Sequence, residues 1–269
     1  MEALVSSPLC PLRLRPDPQS ELADEALLGW TLDLLEEAAP GWYLAQTDYG
    51  YTGFVPADRL VTHEAALRTW NSLPHKTVLR GVCSLRSAPT VQSGQVSLLL
   101  RGSTLAVVGE PDKDGWQEAA LPDGQRGYTK TGFLFHIPHS LPEDAFRAQV
   151  TAMGRLYRDT HYLWGGKSPL GMDCSGLTFM AYRLSGVTIW RDAGLKEGYP
   201  LRPIDFEAKK PGDLLFFPGH VALYLGEGRY LHSTAQTGSD GVVVNSLDPR
   251  DPDYRPDLPP SLLAVGSLF

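Results

Sequence analysis

The strongest constraint on this fold is a repeat in the first half of the chain. CPLRLRP at Cys10 returns as CSLRSAP at Cys83, and Gly41-Trp42-Tyr43 returns as Gly115-Trp116-Gln117. GYTGFVPADRL, from Gly50, is echoed by RGYTKTGFL, from Arg126, and the cysteine and Gly-Trp matches set the offset near 73 or 74 residues. Self-similarity at a fixed period means one structural unit built twice. Each copy carries short alternating apolar runs, TLDLLEE and WYLAQ in the first, TLAVVGE and WQEAAL in the second. Gly, Pro and Asp turns break these runs, which is the pattern of a small all-β barrel of about 60–70 residues. A short helix is expected over 63–70, followed by the linker SLPHK at Ser72 to Lys76. The expected domains are a barrel over 1–72, a barrel over 73–139 and a third domain over 140–269.

The repeat accounts for two of the three cysteines. Cys10 and Cys83 hold equivalent places, each expected as a small buried hydrophobe at a strand start. Cys174 has no counterpart. An odd cysteine count fits a reducing compartment. The opening MEALVSSPLCPLRLRP has Glu2 where a secretory leader carries Lys or Arg, and Ser6, Ser7 and Pro8 break its apolar run. A cytoplasmic location is therefore expected, or a secreted one if a leader was trimmed. No segment approaches 18 uninterrupted apolar residues, so no membrane partner is expected. The formal charge is −7, with no basic run longer than Lys209-Lys210, which argues against nucleic acid.

From about Ser140 the pattern changes. LPEDAFRAQVTAMGRLYRDT reads as a helix, with Pro142 in its first turn and Glu143 and Asp144 at its positive end. Phe146, Val150, Met153 and Tyr157 share one face. A Gly-rich loop, HYLWGGKSPLGMD, leads to a second helix with Leu177, Met180, Ala181 and Leu184 on one side and Gly186 as its stop. The strands DLLFF, HVALYLG, RYLHSTA, VVVNSL and LLAVGSLF follow. Helices first and strands after give an α+β domain with an antiparallel sheet.

Cys174 sits at the start of the second helix, with Asp173 placed as its cap. Unpaired N–H groups and the helix dipole favour thiolate there. The rival reading is an inert core thiol. A nucleophile needs a base within hydrogen-bond reach and a third group to orient that base. His220 and His232 flank the hairpin HVALYLGEGRYLH. A three-residue loop, Gly226-Glu227-Gly228, pairs Leu225 with Arg229 and sets 222 opposite 232. Both histidines then share one sheet face as diagonal neighbours. A two-residue loop sends them to opposite faces, so the pairing requires the odd loop. His63, His75, His136, His139 and His161 fall in linkers and loops. With no CxxC and no HxxxH, no metal and no cofactor are expected.

YLWGGKSPLGMDCSGLTFMAYR and KKPGDLLFFPGHVALYLGEGRYLHS together resemble the NlpC-type cysteine peptidases, which are papain-like in fold. The resemblance covers roughly 140–269, and the two preceding copies resemble bacterial SH3 domains. It implies Cys174 as nucleophile, His220 as base, His232 as the orienting residue, and Tyr162 near the oxyanion site. It implies a substrate pocket of Asp173, Ser175, Trp164 and Asp192, completed from the first barrel by Tyr51 and either Glu21 or Glu25. Asp192, in Trp190-Arg191-Asp192, would hold the free amine of an N-terminal L-alanine. Lys167 or Arg191 is left to meet a substrate carboxylate.

The activity implied is cleavage of the γ-D-glutamyl–diamino acid bond in murein peptides during wall-peptide recycling. The rivals are a secreted hydrolase gripping intact wall through its SH3 copies, and a scaffold with a dead catalytic fold. The choice between meso-diaminopimelate and lysine stays open, as does oligomeric state.

Overall fold

The computed structural model describes all 269 residues, which divide into two compact units, Met1–Ile137 and Pro138–Phe269. The first unit holds both copies of the repeat. Copy one contains β1 (Glu2–Val5), β2 (Leu9–Arg13), β3 (Leu22–Leu27), β4 (Thr31–Ala39), β5 (Trp42–Thr47), β6 (Thr52–Pro56) and β7 (Leu60–Val61). After helix α1 (Glu64–Asn71), copy two runs through β8 (His75–Val78), β9 (Val82–Arg86), β10 (Gln95–Leu100), β11 (Thr104–Val108), β12 (Trp116–Ala120), β13 (Arg126–Lys130) and β14 (Leu134–Phe135).

The two sheets have the same strand order, β3-β2-β6-β5-β4-β1-β7 and β10-β9-β13-β12-β11-β8-β14. These orders are open, with β3 and β7 at the ends of one and β10 and β14 at the ends of the other, so the hydrogen bonding does not close either into the expected barrel. Strand pairing also corrects the textual match between copies. Phe54 faces Arg13 and Tyr128 faces Arg86, which equates Gly53 with Gly127 at an offset of 74. The shared GYT letters are displaced from that register. Both glycines lie against the preceding strand: a Cβ on Gly53 would meet Leu12 Cβ at 2.9 Å, and one on Gly127 would meet the Arg86 carbonyl at 2.5 Å. Glycine is kept where two backbones approach this closely.

The copies are not beads on a string. Trp30 Nε1 donates to the Gly102 carbonyl at 2.9 Å, and the Thr104 amide donates to the Leu28 carbonyl at 2.8 Å. Leu28 from copy one sits fully buried in the core of copy two, beside Leu85, Leu99 and Leu105. Cys10 is fully buried, as expected. Cys83 is only half-buried, because its neighbourhood opens onto a surface cleft beside Trp116 and Phe133.

The second unit begins with α2 (Glu143–Arg155), then a short hairpin of β15 (Lys167–Ser168) and β16 (Gly171–Met172), then α3 (Cys174–Arg183). Its sheet is β17 (Arg202–Ile204), β18 (Leu214–Phe217), β19 (His220–Gly226), β20 (Arg229–Thr234), β21 (Gly241–Ser246) and β22 (Ala264–Ser267). The order is β17-β22-β18-β19-β20-β21, all antiparallel. The edge strand β17 has no periodic signal in the sequence. Helix α3 packs on α2, β19 and β20 and is buried on every side, from Cys174 to Tyr182. Gly154 lets α2 lie on the sheet, since a Cβ there would meet Leu223 Cδ2 at 2.7 Å. No helix is long and apolar enough to cross a membrane.

Candidate active site

Cys174 is the first residue of α3. Its placement depends on Asp173, whose extended backbone makes it the cap and whose Oδ1 accepts from the Gly176 amide at 2.6 Å. Asp173 does more than cap. Oδ2 accepts from the Gly165 amide at 2.9 Å, and buried Arg191 reaches both oxygens at 3.1 Å. Ser175 Oγ donates to Oδ1 and accepts from Arg191 Nη1 at 2.7 Å. A carboxylate and a guanidinium out of water hold each other only when their hydrogen bonds are filled, and here they bolt the helix start to the 163–172 loop. Gly176 permits that approach: a Cβ on it would meet the Gly166 carbonyl at 2.2 Å.

The thiol is in a different electrostatic state from the one its helix position suggests. Burial, then the Asp173 charge, push Cys174 up to about 11. Backbone N–H groups of Val221 and Ser175 and the charge of Arg191 only partly oppose this. The expectation of a resting thiolate is therefore corrected: the helix dipole favours the anion, and desolvation outweighs it.

The sheet supplies the histidines. His220 opens β19 and His232 lies in β20, fully buried. His220 Nε2 is 2.8 Å from His232 Nδ1, with the rings nearly perpendicular at 88°. The expected three-residue loop is absent. Gly226 pairs with Arg229 across a two-residue turn, in which Glu227 and Gly228 have φ of 51° and 70°. Yet Leu223 still faces Leu231, because a bulge between Tyr224 and Gly226 inserts the extra residue. The bulge restores the register that the odd loop was meant to provide. His232 faces Val243 on β21, so Asn245 is its diagonal neighbour there, and His232 Nε2 lies 2.8 Å from Asn245 Oδ1. Burial, then Arg255, holds His220 down at about 4. Burial, then His220, holds His232 at about 3, with Asn245 opposing. Both rings are neutral at pH 7.

Tyr162 joins the site from the loop before α3, bridging to Met172. Burial, then the thiol and Asp173, push its hydroxyl up to about 12, so it stays a donor. Trp164 is exposed at 60 %. Asp192 is exposed and lines a cleft with Ile189, Trp190 and Tyr199. Ser175, Asp173 and Arg191 are engaged with one another, and Lys167 is fully buried with its Nζ 4.7 Å from the Phe179 ring. Neither cation offered for a substrate carboxylate stands open to one. Tyr51, Glu21 and Glu25 belong to the first unit: Glu25 is buried opposite Pro11, Glu21 is exposed, and Tyr51 is half-buried in a turn with Thr47.

Sequence reasoning missed Asn245 and the anchoring role of Arg191. Asn245 had one signal, a lone amide in the apolar run VVVNSL, but its meaning depends on the β20–β21 register.

Comparison with known proteins agrees with this geometry. The NlpC/P60 family matches residues 159–251, and the bacterial dipeptidyl-peptidase SH3 domain matches residues 12–60. A Lysinibacillus sphaericus protein named dipeptidyl-peptidase 6 is 39 % identical over 273 residues, covering 100 % of both chains. A Bacillus cereus protein named gamma-D-glutamyl-L-lysine dipeptidyl-peptidase is 26 % identical over 241 residues, covering 83 % of this chain and 71 % of the relative. The crystal structure of a Bacillus cereus NlpC/P60 family protein superposes with a TM-score of 0.82, at 20 % identity and 98 % coverage of each chain, and so shares the fold. With a relative 39 % identical over its whole length, this chain belongs to the NlpC/P60 family of peptidases.

Proposed function

We propose that this peptidase cleaves the γ-D-glutamyl–diamino acid bond of murein peptides whose N-terminal L-alanine is free, with Cys174 as nucleophile and His220 as base. The observation that carries the chemistry is the His220–His232 contact on one sheet face, in strands that pack against the helix opened by Cys174. Assignment of the γ-D-glutamyl bond leans on the name of the Bacillus cereus relative, and release of a dipeptide also on that of the Lysinibacillus sphaericus one. In this reading the enzyme works on soluble wall fragments in the cytoplasm, as a recycling step. The two related sheets of the first unit serve as SH3-like modules.

The resting site holds a neutral thiol and a neutral imidazole. Proton transfer therefore accompanies attack rather than preceding it. His220 Nε2 is committed to His232, so its Nδ1 takes the thiol proton as Sγ adds to the carbonyl carbon. The Cys174 amide and the Tyr162 hydroxyl are the donors offered to the oxyanion. The proton on His220 then passes to the departing amine, leaving a thioester. Water, deprotonated by the same ring nitrogen, releases the L-Ala-D-Glu dipeptide and restores the thiol.

This reading gives the substrate amine to Asp192, the exposed carboxylate of the cleft beside Trp190 and Tyr199, whose charge complements an ammonium. Two digestions read by mass spectrometry test the proposal. One contains L-Ala-γ-D-Glu-meso-diaminopimelate, the other the same peptide capped with N-acetylmuramic acid. Cleavage of the free peptide alone is the expected result. Equal cleavage of both would replace this reading with a hydrolase of intact wall.

A further inference from the structure

We infer that Asn245 is a positioning residue that selects the tautomer of both histidines, and through them the nitrogen that receives the Cys174 proton. This inference rests on the catalytic reading above. It begins at a backbone carbonyl remote from the thiol. Asn245 Nδ2 donates to the Asp253 carbonyl. A carbonyl oxygen only accepts, so the amide nitrogen must face it, and Oδ1 must face His232. Oδ1 also only accepts, so the proton in the 2.8 Å contact with His232 belongs to Nε2. A neutral His232 then has a bare Nδ1, which accepts from His220 Nε2–H at 2.8 Å. A neutral His220 is left with a bare Nδ1, the lone pair that catalysis requires.

The chain of acceptors is anchored at its far end. Arg229 grips the Asp253 carboxylate, with Nη1 at 3.0 Å from Oδ1, and also reaches Asp251 at 3.4 Å. Ser246 Oγ donates to Asp251 Oδ2 at 2.6 Å, and Ser246 forms a bridge with Tyr254. The 251–254 loop is thereby fixed beside β21 with its carbonyl aimed at Asn245. The other groups acting on the pair are Arg255, which disfavours a second proton on either ring, Asp257, which favours it, and the Tyr230 ring, 5.1 Å from His232. None of these distinguishes Nδ1 from Nε2 on His232. Asn245 does.

Nitrogen-15 NMR of the histidine rings in the full chain at pH 7 tests this directly. The expected spectrum has protonated Nε2 and bare Nδ1 on both His220 and His232. A His232 protonated on Nδ1 overturns the inference, whatever the variants do. Asn245→Ala should lower kcat/KM roughly ten- to hundred-fold, chiefly through kcat, as removal of a group that orients a functional histidine does. Asn245→Asp keeps an acceptor at Oδ1 and adds charge, so kcat should exceed that of the alanine variant and the acid limb of the rate profile should move up. An alanine variant with unchanged ring tautomers and unchanged kcat would also overturn it. If the wild-type tautomers are as expected but the γ-D-glutamyl peptide is not cut, the substrate assignment falls and the tautomer assignment stands.

Discussion

Cys10 and Cys174 are both buried thiols raised well above the ordinary range, to about 12 and about 11. By titration alone they are nearly indistinguishable. Their neighbours separate them. Cys10 lies within β2, and its Sγ donates to the Pro11 carbonyl at 4.0 Å, a group that can only accept. Cys174 meets two backbone N–H groups that would stabilise an anion, and a histidine pair stands in the adjacent strands. A nucleophile in this molecule is marked by the route open to its proton rather than by the resting ionisation of its sulfur.

The largest effect expected from this contrast is on turnover. Cys174→Ala should lower kcat by on the order of 10^4-fold or more, while Cys10→Ala leaves kcat within about two-fold. Equal losses in steady-state assays, at matched folding by circular dichroism, would erase the distinction.

Asp173→Ala sharpens the comparison from the structural side. It removes the α3 cap and the carboxylate that Arg191 grips at both oxygens, so unfolding free energy should drop by roughly 3 kcal/mol. Urea denaturation reads this as a lower midpoint with little change in slope. A loss below about 1 kcal/mol would mean that the other partners of Arg191 hold it in place.

Acid acts on the catalytic unit through its histidines. Unfolded, each binds a proton near 6.5; folded, His220 does so only near 4 and His232 near 3. Between those values the unfolded chain holds more protons, so this stability is complete above pH 6.5 and is lost as pH falls toward 3. The acid limb of kcat/KM should lie near 4, where His220 begins to carry a proton in the free enzyme. A limb at the ordinary histidine position would show that the pair is less desolvated than the structure makes it.

The smallest effect separates the two copies of the repeat. Cys10 is fully buried and Cys83 half-buried, so Cys10→Ala should cost about 1–2 kcal/mol and Cys83→Ala less than about 1. Thermal unfolding of the two variants, side by side, measures this. The reverse order would contradict the difference in burial between the two sites.

Much of this architecture is legible in the residues. The offset of 74, the helix over Glu143–Arg155, the cap at Asp173 and the strands around His220 and His232 all follow from periodicity and turn chemistry. The hairpin shows where such reasoning stops. The two histidines share a face through a different turn from the one the spacing predicts, because LGEGR permits either a long loop or a tight turn with a bulge. Only the Leu223–Leu231 pairing distinguishes them.

The sequence by itself determined the repeated β units, the α+β order of the second unit, the cysteine at a helix start and the candidate histidines. These depend on contacts between residues close in the chain, where side-chain period and backbone sterics suffice. Tertiary structure decided the ionisation of Cys174, the anchoring of Asp173 by Arg191, and the place of Asn245 behind His232. Each of these depends on how much water is excluded and on which distant groups arrive at hydrogen-bond range. Desolvation and charge pairing are properties of the packed site, and no local pattern of residues encodes them.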